Sequence, residues 1–570
     1  MELAITQEDA NILLKQKNLL NESVLEKYRL AGQISQTCLA YLTSLINSSY
    51  HLGTHEPYSV SELCILGDSY IERSLRTVFK KGANAVREKG IALPVTFEIN
   101  DIVAGFSPEL LDEDALVFQP GDIVTISLGC HVDGYTANVS HTLVIYPPGQ
   151  APAGPLLGPK ADAVCAAHIA TETVVAILAG SLMPEKLPRS LKSGDNTVTG
   201  SILRSVVDSI AESFNCTVVP TSKIRRIRRF LAGQAEGVVA EKEFKGVVWS
   251  EADQELKLLE ESSTNTELTT YEPKSVSASE TAIPSDKIII SAGEVYLVDL
   301  KMAPLADFAD HGIVSLQTVD AFSGKNHSKD SPSTRPSIYL RELATQKTSF
   351  RLKSARKLWN QLDKELSVYP FKLAYTSSHF PLQLNGNLDA QLAEIKHEIQ
   401  RTKVGANELV NSNSVVTRPI QRARFLPLQV VLNSSNLTGS TGFDAETPVL
   451  PGLEIPLPRL NISSLMVKNL MKQSLAIPVA REATTVVLVP AEATSTGIPE
   501  LLRLTGGSQV ANASWVHSER ALAGEYVGAI GELVQLSQDA RFGLKIRECQ
   551  PMKLDNLVQS TLNNEVEMMD

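Results

Sequence analysis

Apolar positions along this chain follow two rhythms, one helical and one alternating. From about Asn21, Tyr28, Ala31, Ile34, Cys38 and Leu42 recur every three or four residues, which predicts an amphipathic helix with Ser23-x-x-Glu26 as its capping box. A second stripe, Leu63, Leu66, Tyr70, Leu75 and Val78, follows the same start signal, Ser59-x-x-Glu62. Core packing explains both stripes. The segment Ile91 to Ile102 then reads as strand. Two β-rich runs, Ile123–Cys130 and Tyr135–Ile145, flank Asp133-Gly134, the favoured pair for a type I′ hairpin turn. Helical spacing returns over Ala161–Leu178, Ser201–Phe214 and Arg351–Leu366. A strand pair is expected at Lys287–Met302, and the last strand-like run is Thr484–Val489.

Polar stretches interrupt these elements. Residues 251–286 are acidic, rich in Ser and Thr and almost free of large apolar side chains, so they read as an insertion disordered in the free protein. Lys325–Arg335 reads as a Ser- and Pro-rich loop, and residues 384–460 as a second polar insertion. The expected layout is an N-terminal extension over 1–20, one large unit over 21–530 carrying both insertions, and a C-terminal extension over 531–570. No fixed-period repeat appears, which excludes solenoids and propellers.

Composition narrows the classes. The chain has 570 residues, 43% apolar and 21% charged, as an ordinary globular protein does. With 53 basic against 64 acidic residues, the formal net charge is −11, which excludes a globally basic nucleic-acid coater. No apolar run approaches the roughly 18 residues of a membrane span, and the first residues lack the basic and apolar regions of a secretory signal. Cys38, Cys64, Cys130, Cys165, Cys216 and Cys549 are scattered without C-x-x-C, the usage of a reducing compartment, so the Asn-x-Ser/Thr sequons carry no glycosylation reading.

The segment Gly121-Asp122-Ile123-Val124-Thr125-Ile126-Ser127-Leu128-Gly129-Cys130-His131-Val132-Asp133-Gly134-Tyr135 resembles the metal-site hairpin of the methionine aminopeptidase family. It is most similar to the family's non-peptidase branch, the proliferation-associated proteins and the related fungal factors of the large ribosomal subunit precursor. Lys27-Tyr28-Arg29, Lys89-Gly90-Ile91-Ala92-Leu93-Pro94, Phe106-Ser107-Pro108, Glu294-Val295-Tyr296-Leu297-Val298-Asp299, Tyr339-x-Arg341 and the run into Pro490 extend the likeness over most of 20–530. The resemblance implies an α/β (α+β) pita-bread fold, two pseudo-symmetric halves around a central pocket, with polar insertions.

A dinuclear aminopeptidase needs hard anionic ligands and a histidine to hold two cations and activate a water. With Val132 and Tyr135 flanking the turn, Asn138 faces Gly129 and Ser127 lies diagonally on the same face. The family carries aspartate at both positions; here both are neutral. By resemblance its metal histidine falls at Gly233, the next ligand at Asp299, the last at Ala483, and its substrate-side histidine at Gly105. Glu482, one residue from Ala483, points to the opposite face of a strand. The reading is therefore no metal site, no cofactor and no catalytic residue.

Other candidates are weaker. His51 and His55 are four apart, but Gly53 and Pro57 make this a connector, and His131 and His141 read as structural. Asp122, Asp133, Asp299 and Glu482 form at most a loose carboxylate set. The phosphate loop, nucleophile elbow and dinucleotide fingerprint motifs are absent. The run Lys223-Ile224-Arg225-Arg226-Ile227-Arg228-Arg229 fits a solvated face, a nuclear import signal or, in the context of the resemblance, contact with ribosomal RNA. Lys223, Arg225, Arg226, Arg228 and Arg229 are its candidate residues.

The resemblance implies a non-catalytic export factor docking on the large-subunit precursor near the peptide exit. Its expected partners are ribosomal RNA, ribosomal proteins, other assembly factors and nucleoporins, with no membrane, and it would shuttle between nucleus and cytoplasm. The alternatives are a metal-dependent aminopeptidase or metalloprotease, and a peptide-binding protein using the vacant pocket. Limited proteolysis of the purified chain is expected to cut within 251–286 first and leave the remainder compact.

Overall fold

The computed structural model describes residue 12 and residues 15–552, apart from 81–84, 111–115, 148–153, 230–244, 252, 255–285, 309–311, 320–334, 343–348, 366–368, 384–385, 428–473, 495, 509, 512–514 and 540. The hairpin read from the sequence organises the first half. β3 (Ile123–Val132) and β4 (Tyr135–Val144) pair from Val132↔Tyr135 to Ile123↔Val144. Asp133 (φ 57°) and Gly134 (φ 79°) both take the positive φ that a type I′ turn demands. β1 (Lys89–Ile99) pairs antiparallel on β3. Alternation sends Val124, Ile126, Leu128 and Cys130 into a core with α1 (Glu22–Ile46) and α2 (Val60–Thr77). The Ser59/Glu62 capping box forms at α2. At α1 the cap is Asn21, whose side chain accepts from Val24 N at 2.9 Å, and Ser23 lies inside the helix rather than capping it.

The second half repeats the plan. α3 (Pro159–Gly180) and α4 (Gly200–Ser213) pack on β8 (Val295–Pro304) and β14 (Ala480–Val489), whose even-numbered apolar residues Tyr296, Val298, Leu300, Ala480, Val486 and Leu488 face them. β5 (Cys216–Val218) and β6 (Lys223–Ile227) also pair with β8, and β7 (Gly246–Val248) with β6. The main sheet runs β1-β3-β4-β14-β8-β6-β7, so β14 joins the halves. Contrary to the expectation from the sequence, α3 is long and apolar enough to cross a membrane. Its apolar window is 78% buried within the protein, which explains the composition.

A smaller sheet orders β13 (Leu475–Ala476), β12 (Gln421–Pro427) and β2 (Ile102–Ala104), with β9 (Gly312–Thr318) on β12, around Val103, Val314, Phe425 and Val479. α5 (Lys353–Glu365) packs against α6 (Leu388–Asn411), and β10 (Tyr339–Arg341) pairs with β11 (Val415–Thr417). Lys372 anchors this group to the first half. Its ammonium, 2% exposed, lies 3.2 Å from the fully buried Asp68 and donates to Ser107 Oγ at 2.8 Å.

Several boundaries need correction. The insertion expected over 384–460 contains α6, β11 and β12: Leu392, Ile395, Ile399, Ala406 and Leu409 form a buried stripe that the surrounding charged residues disguised. Residues 428–460 lie outside the described set. Of 251–286, Glu251 accepts from Leu316 N, Asp253 from Ser250 N and Gln254 from Val314 N, so these three residues are built into the fold, and 252 and 255–285 lie outside the described residues. Thr484–Val489 is not the last strand, since β15 (Glu500–Arg503) pairs with β14 and β16 (Ile546–Glu548) with β15. With α7 (Val527–Gln538), these strands make much of 531–552 part of the main unit. The pair expected at Lys287–Met302 is one strand, β8, plus a bridge from Ile289 to Thr199.

Two histidines are buried in stacks. His131 lies on Tyr369 with ring centroids 3.8 Å apart, and His51 on Tyr146 at 3.6 Å. Burial pushes His131 down to about 3 and His51 to about 4, from 6.5. Below 6.5 the unfolded chain gains protons that the folded chain refuses, so stability falls as pH drops toward 4. H131Q should flatten that fall in urea titrations between pH 7 and 5. K372M leaves the Asp68 carboxylate buried without its partner and should cost about 3–5 kcal/mol by the same measurement, with part recovered in K372M/D68N.

Candidate functional site

Register alone assembles the central polar face. Ala483 pairs with Ser140 on one side and Asp299 on the other, and Lys223 pairs with Asp299 from β6. Arg481 is opposite Lys301, two residues from that pair and therefore on the same face. The Arg481 guanidinium grips Asp299 with two bonds, Nε to Oδ1 at 2.7 Å and Nη2 to Oδ2 at 3.0 Å. Its Nη1 reaches Ser127 Oγ at 3.3 Å and lies 3.9 Å from Glu98 Oε1. Ser127 donates to Glu98 at 2.7 Å and accepts from Ser140 at 2.8 Å, while Thr96 donates to Glu98 at 2.6 Å.

Each buried carboxylate on this face is met by cationic or hydroxyl side chains. Burial would raise the Asp299 carboxyl, but Arg481 and Lys301 outweigh it and hold it well below the carboxylate range. Glu98 is raised, because burial there exceeds the help of Arg481. Burial takes the Lys301 ammonium down to about 7 against the pull of Asp299, 3.6 Å away, and Lys301 donates to Thr221 O and Oγ1 at 3.2 Å.

The positions inferred from the resemblance can now be placed. Ser127 is 1% exposed and committed to its hydroxyl network. Asn138 lies over Gly129, where a Cβ would approach its Oδ1 to 2.1 Å, and that Oδ1 is buried without a partner. Ala483 offers only a methyl group on the face of Asp299. Glu482 points the other way, accepting from Thr142 N at 3.1 Å and lying 2.9 Å from His141 Nδ1. Gly105 has φ 79°, and a Cβ there would stand 2.5 Å from the Pro419 carbonyl oxygen, so a histidine is excluded by the connection into β12. Gly233 lies outside the described residues.

This donor set does not fit a pair of divalent cations. One carboxylate of the inferred ligands is present, and a guanidinium holds it. One neutral amide oxygen remains, and no group of three His, Cys, Asp or Glu that could hold a metal occurs among the described residues. Asp122 and Asp133, the other members of the loose carboxylate set, are engaged elsewhere, Asp122 with Asn100 and Asp133 with Lys27 and Arg229.

The basic run is strand β6 as far as Ile227, with Arg228 and Arg229 just beyond it, and three of its candidate cations are paired with internal carboxylates. Arg226 is 8% exposed, and Arg226 Nη1 and Arg228 Nη2 both reach Glu294, at 3.4 and 2.9 Å. Arg229 donates to Asp133 Oδ1 at 2.6 Å and to its carbonyl at 2.7 Å. Lys223 and Arg225 are half-buried, and Lys223 belongs to the central face. The physical reason is pairing: Ile224 and Ile227 enter the two cores, so the intervening cations are drawn to internal carboxylates.

Arg481, Lys301, Glu98 and Arg418 were not singled out from the sequence. A signal existed for Lys301: Val298-Asp299-Leu300-Lys301-Met302 alternates, which puts Lys301 on the face of Asp299. Arg418 lies beyond β11 in an irregular connection and gives no such signal.

No family model matches this chain. A protein of Debaryomyces hansenii named "Probable metalloprotease ARX1" is 51% identical over 566 residues, covering 97% of this chain and 98% of that one. A Candida albicans protein of the same name is 50% identical over 578 residues, covering 100% of both. A solved structure of a thermophilic Arx1 superposes with a TM-score of 0.52 at 15% identity, covering 90% of this chain and 98% of that one. That likeness speaks for the fold, which is the mixed α/β pita-bread arrangement expected from the hairpin. On the identities and coverage of these relatives, the chain belongs to the ARX1 family.

Proposed function

We propose that this chain is a non-catalytic factor of ribosome biogenesis that docks on the large-subunit precursor near the peptide exit. On this reading it contacts ribosomal RNA, ribosomal proteins and other assembly factors, and nucleoporins carry it between nucleus and cytoplasm. The observation that supports it is the Arg481–Asp299 pair. A guanidinium occupies the carboxylate that a hydrolytic metal pair would need, and Ser127, Asn138 and Ala483 supply no replacement charge. A fold is a scaffold, and the site decides the chemistry.

The relatives' name favours a second reading, a metalloprotease. Against it stands electrostatics: with Arg481, Lys301 and Lys223 on one face, a divalent cation meets like charge before it meets a ligand.

Two measurements test the proposal. Elemental analysis and a chelator-controlled assay on Met-initiated peptides should give no stoichiometric transition metal and no hydrolysis; two metals per chain with chelator-sensitive cleavage would overturn the non-catalytic part. Native purification should recover large-subunit precursors, and recovery of the chain alone would remove the docking part. The basic run gives a third expectation. Changing Arg226, Arg228 and Arg229 to Glu places carboxylates against Glu294 and Asp133, so it should lower the unfolding midpoint sharply rather than act only on RNA affinity. A variant as stable as the parent would restore the surface-patch reading.

A further inference from the structure

The central face has been inverted in sign. Among the described residues, the carboxylates facing one another there are Glu98 and Asp299, and the cations include Arg481, Lys301, Lys223, Arg225 and Arg418. Arg481 and Lys301 are committed, the first to Asp299 and Ser127, the second to Asp299 and Thr221, and Arg225 is engaged as well. Lys223 and Arg418 remain. Lys223 is directly across β6–β8 from Asp299, and Arg418 enters on the connection that closes over Gly105. Neither the Lys223 ammonium nor the Arg418 guanidinium has a hydrogen-bond partner among the described residues. Both are half-buried, so they have lost water without gaining an acceptor. Burial pulls both below their ordinary values, and Arg481 adds to this at Arg418. Desolvated cations in excess of their counter-charges are costly, and an anion brought between them removes the cost.

We propose that this face is a carboxylate receptor, in which Lys223 and Arg418 bind a carboxylate presented by a polypeptide partner. The inference rests on the non-catalytic reading of the site. Two observations favour a protein carboxylate over a nucleic-acid phosphate. The floor is nearly sealed, with the side chains of Asp299 and Lys301 at most 5% exposed and Arg481 15%, which suits a single small anionic group better than a bulky ribose–phosphate backbone. The chain's net charge of −11 also repels a polyanion at range, whereas one carboxylate on a neutral segment meets little of that field. The planar carboxylate matches the fork of a guanidinium, and an ammonium adds donors without a fixed direction.

The test uses the full-length chain in phosphate-free buffer with a chelator and three labelled Gly/Ser peptides of about six residues, all N-acetylated. One ends in a free carboxylate, one is amidated and carries a single central Glu, and one is amidated without an acid. Fluorescence anisotropy should show binding of at least one carboxylate peptide and none of the neutral one; the first alone assigns a chain end, the second alone a side chain. R418Q and K223Q should each weaken that binding about tenfold or more while unfolding at a temperature near the parent's. If either variant fails to fold, competition on the parent chain takes its place: acetate should displace the peptide and acetamide should not. Equal binding of all three peptides, binding of none, indifference to the substitutions or to acetate, or binding of inorganic phosphate without any peptide would overturn the proposal. Metal-dependent hydrolysis is scored separately with added cobalt and without chelator. It would overturn the functional reading, so the two failures remain distinct.

Discussion

The Arg481–Asp299 pair is the constraint around which the middle of the molecule is arranged. Within the main sheet β14 joins the two halves, through β4 on one side and β8 on the other, and it sends Arg481 and Ala483 to the shared face. A carboxylate as enclosed as Asp299 does not remain charged unless a cation meets it at bonding distance. The Arg481 guanidinium, donating two hydrogen bonds to Asp299, provides that cation from within the sheet. Once it is there, more carboxylates are not required for balance. Ser127 and Asn138 can be neutral, and Ser127 instead links Ser140 to Glu98.

That arrangement depends on strand register, which the hairpin fixes. A one-residue slip of β4 on β3 would send Val139 and His141 to the polar face and Asn138 and Ser140 into the helix-covered core. The positive φ of Asp133 and Gly134 prevents the slip. The turn is then tied down from outside, since Asp133 also holds Lys27 of α1 and Arg229 beyond β6. One turn residue therefore couples the first helix, the hairpin and the far edge of the sheet. This is the use the fold makes of a basic run that, read linearly, looks like a surface patch.

What the sequence made legible is what a two-residue or 3.6-residue period encodes locally. The hairpin, the capped α2 and the placement of Ser127, Asn138 and Glu482 on opposite faces all follow from parity and turn chemistry. The helix α6 was hidden for a physical reason: its apolar stripe is narrow, and Gln, Asn and charged residues on its exposed side make the composition resemble a linker. The fate of Arg226, Arg228 and Arg229 was hidden because their partners, Glu294 and Asp133, are far along the chain, and charge density alone does not tell a paired strand from a solvated one. Arg418 was out of reach because it lies in an irregular connection, where no period assigns it a face. Its significance comes only from the β10–β11 pairing and the approach of Pro419 to Gly105.

The cations on this face also determine what a metal pair placed there would meet. Removing Arg481 would free Asp299, yet Lys301 is still 3.6 Å from that carboxylate and Lys223 directly opposite it. Restoring an acid at Asn138 or Ala483 would add one ligand while the cations that repel a divalent ion stayed in place. Restoring a histidine at Gly105 is barred by backbone, because the φ there and the Pro419 carbonyl leave no room for a Cβ. Each single change meets an obstacle that only the others remove. Building a metal pair on such a face would thus need several cations removed and the connection before β12 rebuilt, since any one cation beside the acids weakens metal binding.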